Sequence, residues 1–276
     1  MPVRLSKHLR LSKHQGLGND FLVYELTGSA ANFDWPAVAK DVCDRRFGVG
    51  ADGLLLLNRL GGGNLKMTLF NADGSRAEIS GNGIRCLVQA AYMADNHDGP
   101  VTYVVNTDAG ERVVDVVEGS RSSNTIQASV SMGEVAPLQE PSGWHLLECN
   151  PDRPVLHLSL GNPHSVVSVE DVTAVDLQTL GQRVPHVNLE IVEAGPEING
   201  ITMRVHERGS GITLACGSGA CASAFAAVAW GFVPASSEEV LVHMDGGDAR
   251  VRVNRDTSHA TLIGPSVFVA DVEFHL

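Results

Sequence analysis

The chain matches itself at half its length. Ser80-Gly-Asn-Gly83 opens a run of small and apolar residues, and Cys216-Gly-Ser-Gly219 opens another 136 residues further on. Nine residues before each stand Asn71 and Glu207, each closing a β-rich run and leading into a glycine turn, Asp73-Gly-Ser75 and Gly209-Ser-Gly211. The matched order predicts two similar halves, each a strand, a glycine turn, a residue of reactive type and a buried helix. The helices are placed at Asn82–Ala94 and Ser218–Phe232, where apolar and small residues run without a breaker.

Most of the remainder reads as strand. Leu65–Phe70, Val101–Asn106, Arg112–Val117, Val155–Leu160, Val187–Val192, Ile201–Val205, Val240–Met244 and Val267–Phe274 are β-rich runs between turn signals. Asp34–Arg46 starts with Asp and Pro36 and predicts a further helix. The polar stretch Gly119–Asn124 is the candidate linker. Near the start, Arg4-Leu-Ser-Lys-His8 recurs as Arg10-Leu-Ser-Lys-His14, and the first copy reads as a short extension.

Composition removes several function classes. Twenty basic residues against 32 acidic ones leave a net charge of −12, the wrong sign for a nucleic-acid binder. No apolar stretch reaches the length of a membrane span, and no apolar segment follows the basic start, so neither a membrane nor a secretory route is expected. Five cysteines at irregular spacing do not make a disulfide framework. The expectation is a protein of the reducing cytoplasm. Lysine occurs only at positions 7, 13, 40 and 66, and Lys66 reads as a solvated strand position. Lysine-dependent chemistry such as a pyridoxal Schiff base is therefore disfavoured.

Cys216 is the residue with most chemical promise. A Gly-Ser-Gly turn opens a helix there, so unpaired N–H groups and the positive end of the dipole lie close by. That setting favours thiolate and could also bind a carboxylate. The bland alternative is a small buried hydrophobe. Cys221, Cys86, Cys43 and Cys149 read as packing, and no Cys/His set has zinc spacing, so no metal is expected. Gly161-Asn-Pro-His164 reads either as a plain turn or as an amide and an imidazole presented at a strand end. Asn19, Asn71 and Asn188 stand at loop or strand ends; singly they are turn residues, and together they suit a zwitterionic ligand.

Taken together, Gly16-Leu-Gly-Asn-Asp-Phe21, Asn71-Ala-Asp-Gly-Ser75, Gly81-Asn-Gly-Ile-Arg-Cys86, Gly161-Asn-Pro-His164, Glu207-Arg-Gly-Ser-Gly211 and Ala215-Cys-Gly-Ser-Gly-Ala220 resemble the diaminopimelate epimerase family, in its order and over most of the chain. The resemblance implies an α+β fold of two similar domains, each a strongly curved sheet or barrel around a central helix, with the active site in the interdomain cleft. The halves are expected at 1–120 and 121–265, with a strand at about 266–276 returning to the first. It implies a homodimer, no cofactor, and a two-base mechanism interconverting LL- and meso-diaminopimelate. By position, Cys216 matches the second catalytic cysteine, with Glu207 and His164 supporting the bases. Asn19, Asn71, Asn162, Asn188 and Arg208 match residues holding the distal end of the substrate. Gly81-Asn82 and Gly217-Ser218 match the two anion sites for the reacting carboxylate.

Two positions depart from the family. Its first catalytic cysteine precedes Gly-Asn-Gly, where this chain has Ser80, and a hydroxyl is a far weaker acid than a thiol. An engineered Cys-to-Ser form, a natural Ser/Cys epimerase and a relative with altered chemistry all fit. Ile212 stands where a Glu is common. The first reading is diaminopimelate epimerase activity impaired by Ser80; the alternatives are a racemase for another amino acid and a catalytically silent amino-acid-binding homologue.

Overall fold

The structure, a computed structural model, describes residues 8–26 and 33–276. The first copy of the N-terminal repeat, apart from His8, lies outside the described residues. The chain divides into two compact units, one of residues 1–128 with 265–276, the other of 129–264.

The first unit contains β1 (His8–Gly16), β2 (Asn19–Glu25), α1 (Trp35–Cys43), β3 (Gly53–Gly61), β4 (Asn64–Asn71), β5 (Arg76–Ala77), α2 (Gly81–Ala94), β6 (Val101–Thr107) and β7 (Gly110–Glu118). β8 (Thr125–Glu134) runs across the division. The second unit continues with β9 (Ala136–Pro137), a 3-10 turn (Trp144–Leu147), β10 (Val155–Ser159), β11 (Pro163–Ser168), α3 (Leu177–Arg183), β12 (Asn188–Ala194), β13 (Gly200–Glu207), β14 (Gly211–Thr213), α4 (Gly217–Trp230), β15 (Val240–Met244) and β16 (Gly247–Asn254). β17 (His259–His275) gives its first residues to the second unit and the rest to the first.

The ladders duplicate. In the first unit β1–β2 is antiparallel, β2–β3 parallel, β3–β4 and β4–β5 antiparallel, β4–β6 parallel and β6–β7 antiparallel. The second unit repeats that sequence through β10–β11, β11–β12, β12–β13, β13–β14, β13–β15 and β15–β16. The architecture is α+β, as expected. Registers also correspond: Phe21 stands opposite Gly53 across one parallel pair as His164 stands opposite Asn188 across the other.

Each unit wraps its strands around one helix. α2 packs on β1, β2, β3 and β4, and α4 on β10–β13, β15 and β16. Both helices have 14 residues, spanning roughly 21 Å at 1.5 Å per residue. α2 fills its interior with Ile84, Leu87, Val88 and Tyr92, all at most 1% exposed. Each such side chain contributes about 1.5–3 kcal/mol on burial. α4 uses Ala220, Ala222, Ala224, Ala226 and Ala227 instead, so the strands around it approach closely.

Three differences from the sequence reading have physical causes. Gly53–Gly61 is a strand whose Leu54–Leu57 run is buried on both faces, so no alternation marks it. Gly119–Asn124 is the loop between β7 and β8 inside the first unit rather than a linker, because the division falls within a continuous strand. The C-terminal strand is 17 residues long, not eight, since one stretch serves three ladders, with β16, β8 and β1.

Candidate active site

Asn19 is delivered by the tightest turn of the first unit. Gly16 pairs with Asn19 across β1–β2, leaving Leu17 and Gly18 as a two-residue turn at φ 57° and 80°. Positive φ at both positions is the hairpin geometry that follows strand twist, and Leu17 meets it at some steric cost. The amide of Asn19 is then held from both ends. Its Nδ2 donates to Asp52 Oδ2 at 2.6 Å, and its Oδ1 accepts from Asn82 Nδ2 at 3.2 Å. Asn82 Oδ1 accepts from the buried Arg85 guanidinium at 2.8 Å, whose other contacts include the Gly81 and Pro265 carbonyls. Gly16 packs close here: a Cβ would meet Arg85 Nη2 at 3.2 Å and the Pro265 carbonyl at 3.3 Å.

Behind this row lies a cluster of charges. Asp20 takes Lys13 at 2.9 Å and Arg45 at 2.7 Å, and Arg45 also reaches Asp52 at 2.8 Å. Burial alone would raise the Asp20 carboxyl, but the Arg45 and Lys13 contacts outweigh it and hold it below its ordinary range. Asn71 is exposed, its Nδ2 donating to Ser75 Oγ at 3.0 Å within the following turn. Ser80 is the N-cap of α2, with φ −138° and ψ 124°, and its Oγ accepts from Gly83 N–H at 3.0 Å.

The second unit repeats the cap with different chemistry. Cys216 caps α4 at φ −126° and ψ 114°. Its Sγ accepts from Gly219 N–H at 3.4 Å and lies 3.6 Å from Ser218 Oγ. Ser218 accepts from Asn162 Nδ2 at 3.2 Å, and Asn162 Oδ1 faces His164 Nε2 at 3.0 Å. His164 Nδ1 meets Glu190 Oε1 at 2.6 Å, both side chains fully buried. The motif Gly161-Asn-Pro-His164 is therefore more than a turn: its amide and imidazole are wired to the cap of α4. Asn188 Nδ2 donates to the Pro163 carbonyl at 3.0 Å, and its Oδ1 accepts from Arg208 N–H at 2.8 Å. That contact fixes the backbone of Arg208, whose side chain is exposed. Glu207 accepts a short hydrogen bond from Thr213 across the β13–β14 hairpin.

One sequence expectation is corrected. The Cys216 thiol is not shifted toward thiolate in the unliganded chain: burial pushes it well above the ordinary thiol range, and Glu207 and Glu190 push it further. The Gly219 and Ser218 hydrogen bonds act in the opposite direction but are outweighed. Cys86 and Cys43 are buried as expected, the latter pushed up to about 12 first by burial and then by Asp20 and Asp52. Cys149 is only partly buried.

Glu190, Asp52 and Arg85 escaped the sequence reading. Two of the three had a signal: Glu190 is a lone carboxylate in Val187–Val192, and Arg85 a lone cation in Ile84–Val88. Among the described residues no group of three or more His, Cys, Asp or Glu could hold a metal ion, and no helix is long and apolar enough to cross a membrane.

Known proteins match this chain over most of its length. The diaminopimelate epimerase family model matches residues 11–136 and 157–269. The diaminopimelate epimerase of a Cyanothece strain is 36% identical, over 94% of this chain and 96% of that protein. The enzyme of the same name from Synechococcus elongatus is 38% identical, over 95% and 96%. In fold, a PhzF-family phenazine biosynthesis protein of Bacillus anthracis superposes at TM-score 0.75 with 12% identity, covering 98% of this chain and all of that one. A hydroxyproline epimerase from Agrobacterium vitis superposes at 0.68 with 14% identity, covering 99% and 94%. The duplicated ladders, the two capped helices and this similarity together place the chain in the diaminopimelate epimerase family, as an amino-acid epimerase.

Proposed function

We propose that the protein interconverts LL- and meso-diaminopimelate, with Ser80 and Cys216 acting on opposite faces of the α-carbon. The observation that carries this reading is the equivalence of the two caps: the same backbone conformation, the same acceptor role toward the third residue of the helix, and a 14-residue helix behind each. An α-proton is held by carbon too firmly for a weak base alone, so the developing negative charge must be met by preorganised dipoles. Gly81-Asn82 and Gly217-Ser218, in the first turns of the two helices, supply such N–H groups for the reacting carboxylate. Asn19, Asn71, Asn162, Asn188 and Arg208 hold the distal amino-acid end, and Glu207 and His164 support the Cys216 thiol. Diaminopimelate is favoured over another amino acid by that full set and by the names of the relatives.

In the reaction one Cα–H bond breaks toward the base on one face, and a proton from the acid on the other face forms the new bond. Burial, then Glu207 and Glu190, raise the Cys216 thiol, which suits it to the acid role. Ser80 must then act as the base, a role a hydroxyl fills slowly. We infer that turnover is impaired by Ser80, in a cytoplasmic homodimer. Ser80 also supports a second reading, a binder that retains the site and does not turn over. Incubation with LL-diaminopimelate in deuterated water tests both: stereoisomer analysis shows slow formation of the meso form with deuterium at the α-carbon for the epimerase. Ligand binding without exchange or isomerisation would establish the binder.

A further inference from the structure

The chain of contacts from Glu190 to Cys216 fixes which atom donates at each step. Asn162 presents Nδ2 to Ser218 and Oδ1 to His164. His164 Nε2 must therefore carry a hydrogen, because an amide oxygen only accepts. Ser218 Oγ accepts the Asn162 hydrogen and keeps its own, which can point at Cys216 Sγ 3.6 Å away; either atom of that last pair can donate. Nothing in this chain moves a proton from end to end, since an amide cannot relay one. Its function is orientation.

Glu190 closes the far end. One carboxyl oxygen meets His164 Nδ1 at 2.6 Å, while Oε2 is buried and has no hydrogen-bond partner among the described residues. An ionised carboxylate with an orphan oxygen away from water is costly, and burial correspondingly raises the Glu190 carboxyl. A Glu190 carboxyl that keeps its proton would donate to Nδ1 and leave the hydrogen on Nε2, the arrangement that Asn162 Oδ1 requires. Glu190 also lies directly against the first turn of α4: a Cβ on Gly219 would come within 2.7 Å of Oε1.

The other unit shows that the fold does not demand this. Phe21 takes the ladder position of His164, and Leu55, two residues past Gly53, takes that of Glu190, two past Asn188. Both are buried. The same architecture is thus built once with an apolar pair and once with a buried acid and imidazole, and the polar version stands beside the thiol.

We propose that Glu190 is a positioning residue for Cys216: it sets the tautomer of His164 and, through Asn162, turns the Ser218 hydroxyl so that its hydrogen points at the sulfur. The proposal rests on Cys216 being the working thiol of the site. The titratable groups around that thiol are Glu190 and His164, from β12 and β11, and Glu207 from β13.

The experiment is the pH profile of Cys216 carboxamidomethylation by iodoacetamide in the full chain, followed by mass mapping of the Cys216 peptide. Glu190→Leu is expected to slow the reaction about tenfold at pH 8, and to move the profile upward, by releasing the hydroxyl donor. Glu190→Gln, whose amide N–H can still donate to Nδ1, is expected to stay within about twofold of the parent. Ser218→Ala is expected to reproduce the Leu effect, and the Glu190→Leu, Ser218→Ala double variant to add nothing to it. If Glu190 acts only as a nearby acidic group, Glu190→Leu leaves the rate unchanged or raises it, and the proposal falls. It falls equally if the Gln and Leu variants are slowed alike. Should Glu190→Leu not fold, an unshifted Ser218→Ala profile overturns it. Absence of diaminopimelate turnover in the parent would overturn the functional reading and leave this profile intact, so the two failures are separable.

Discussion

Ser80 and Cys216 hold the same place in two copies of one design: each caps a 14-residue helix from an extended backbone, and each accepts the N–H of the glycine three residues on. A cap needs an acceptor, and oxygen serves better than sulfur. Proton abstraction from carbon needs a base, and a thiol ionises far more readily than a hydroxyl. Ser80→Cys is therefore expected to raise epimerisation by about 10²-fold while lowering stability by up to about 1 kcal/mol. Cys216→Ser should abolish exchange. Stereoisomer analysis and urea unfolding of the same preparations check both signs.

Gly219 lies where the cap, the thiol and the buried acid converge. A methyl there would sit 2.7 Å from Glu190 Oε1 and 3.3 Å from Cys216 Sγ. Alanine favours helix by about 1 kcal/mol over glycine, yet forcing apart a packed site costs typically 1–3 kcal/mol. Gly219→Ala is expected to show a lower urea midpoint and at least tenfold slower α-proton exchange. A stabilised, fully active variant would mean that the site yields easily.

Arg208 is tethered through its backbone to Asn188 and leaves its guanidinium exposed. A distal carboxylate would be gripped by both prongs of the fork. Arg208→Lys keeps the charge and loses that geometry, so diaminopimelate should bind about tenfold more weakly by calorimetry. Unchanged affinity would remove Arg208 from the binding set.

The Asp20 cluster predicts acid sensitivity with a definite sign. The carboxyl lies below its ordinary value of 3.8 in the folded chain despite burial, through Arg45 and Lys13. A depressed acid stabilises the fold above the unfolded-state value, and that stabilisation is lost as pH falls through the folded one. Asp20→Asn should cost on the order of 2 kcal/mol at pH 7. The gap to the parent should close in the region below pH 3.8. Urea midpoints at pH 7 and below pH 3.8 measure it.

What the sequence made legible was whatever repeats or breaks a pattern. The Ser80 and Cys216 entrances were visible because glycines flank both and 136 residues separate them. The Leu54–Leu57 strand was not, since full burial erases the alternation that betrays a half-buried one. The state of Cys216 was misjudged for a related reason: a helix terminus can be read locally, whereas desolvation by β12 and β13 depends on residues far along the chain. Glu190 belongs to the same class, its partner His164 lying 26 residues away.

β17 ties the order of synthesis to the order of folding. β1 pairs with Val267–His275, so a strand made early in this sequence waits for one far along it. The second unit is made from an uninterrupted stretch, residues 129–264, and can close first. Vectorial folding therefore runs against the usual N-terminal lead. A nascent chain halted before residue 265 carries a finished second unit and a first unit with Leu9 and Leu11 still unpaired, the segment most open to chaperones and proteases.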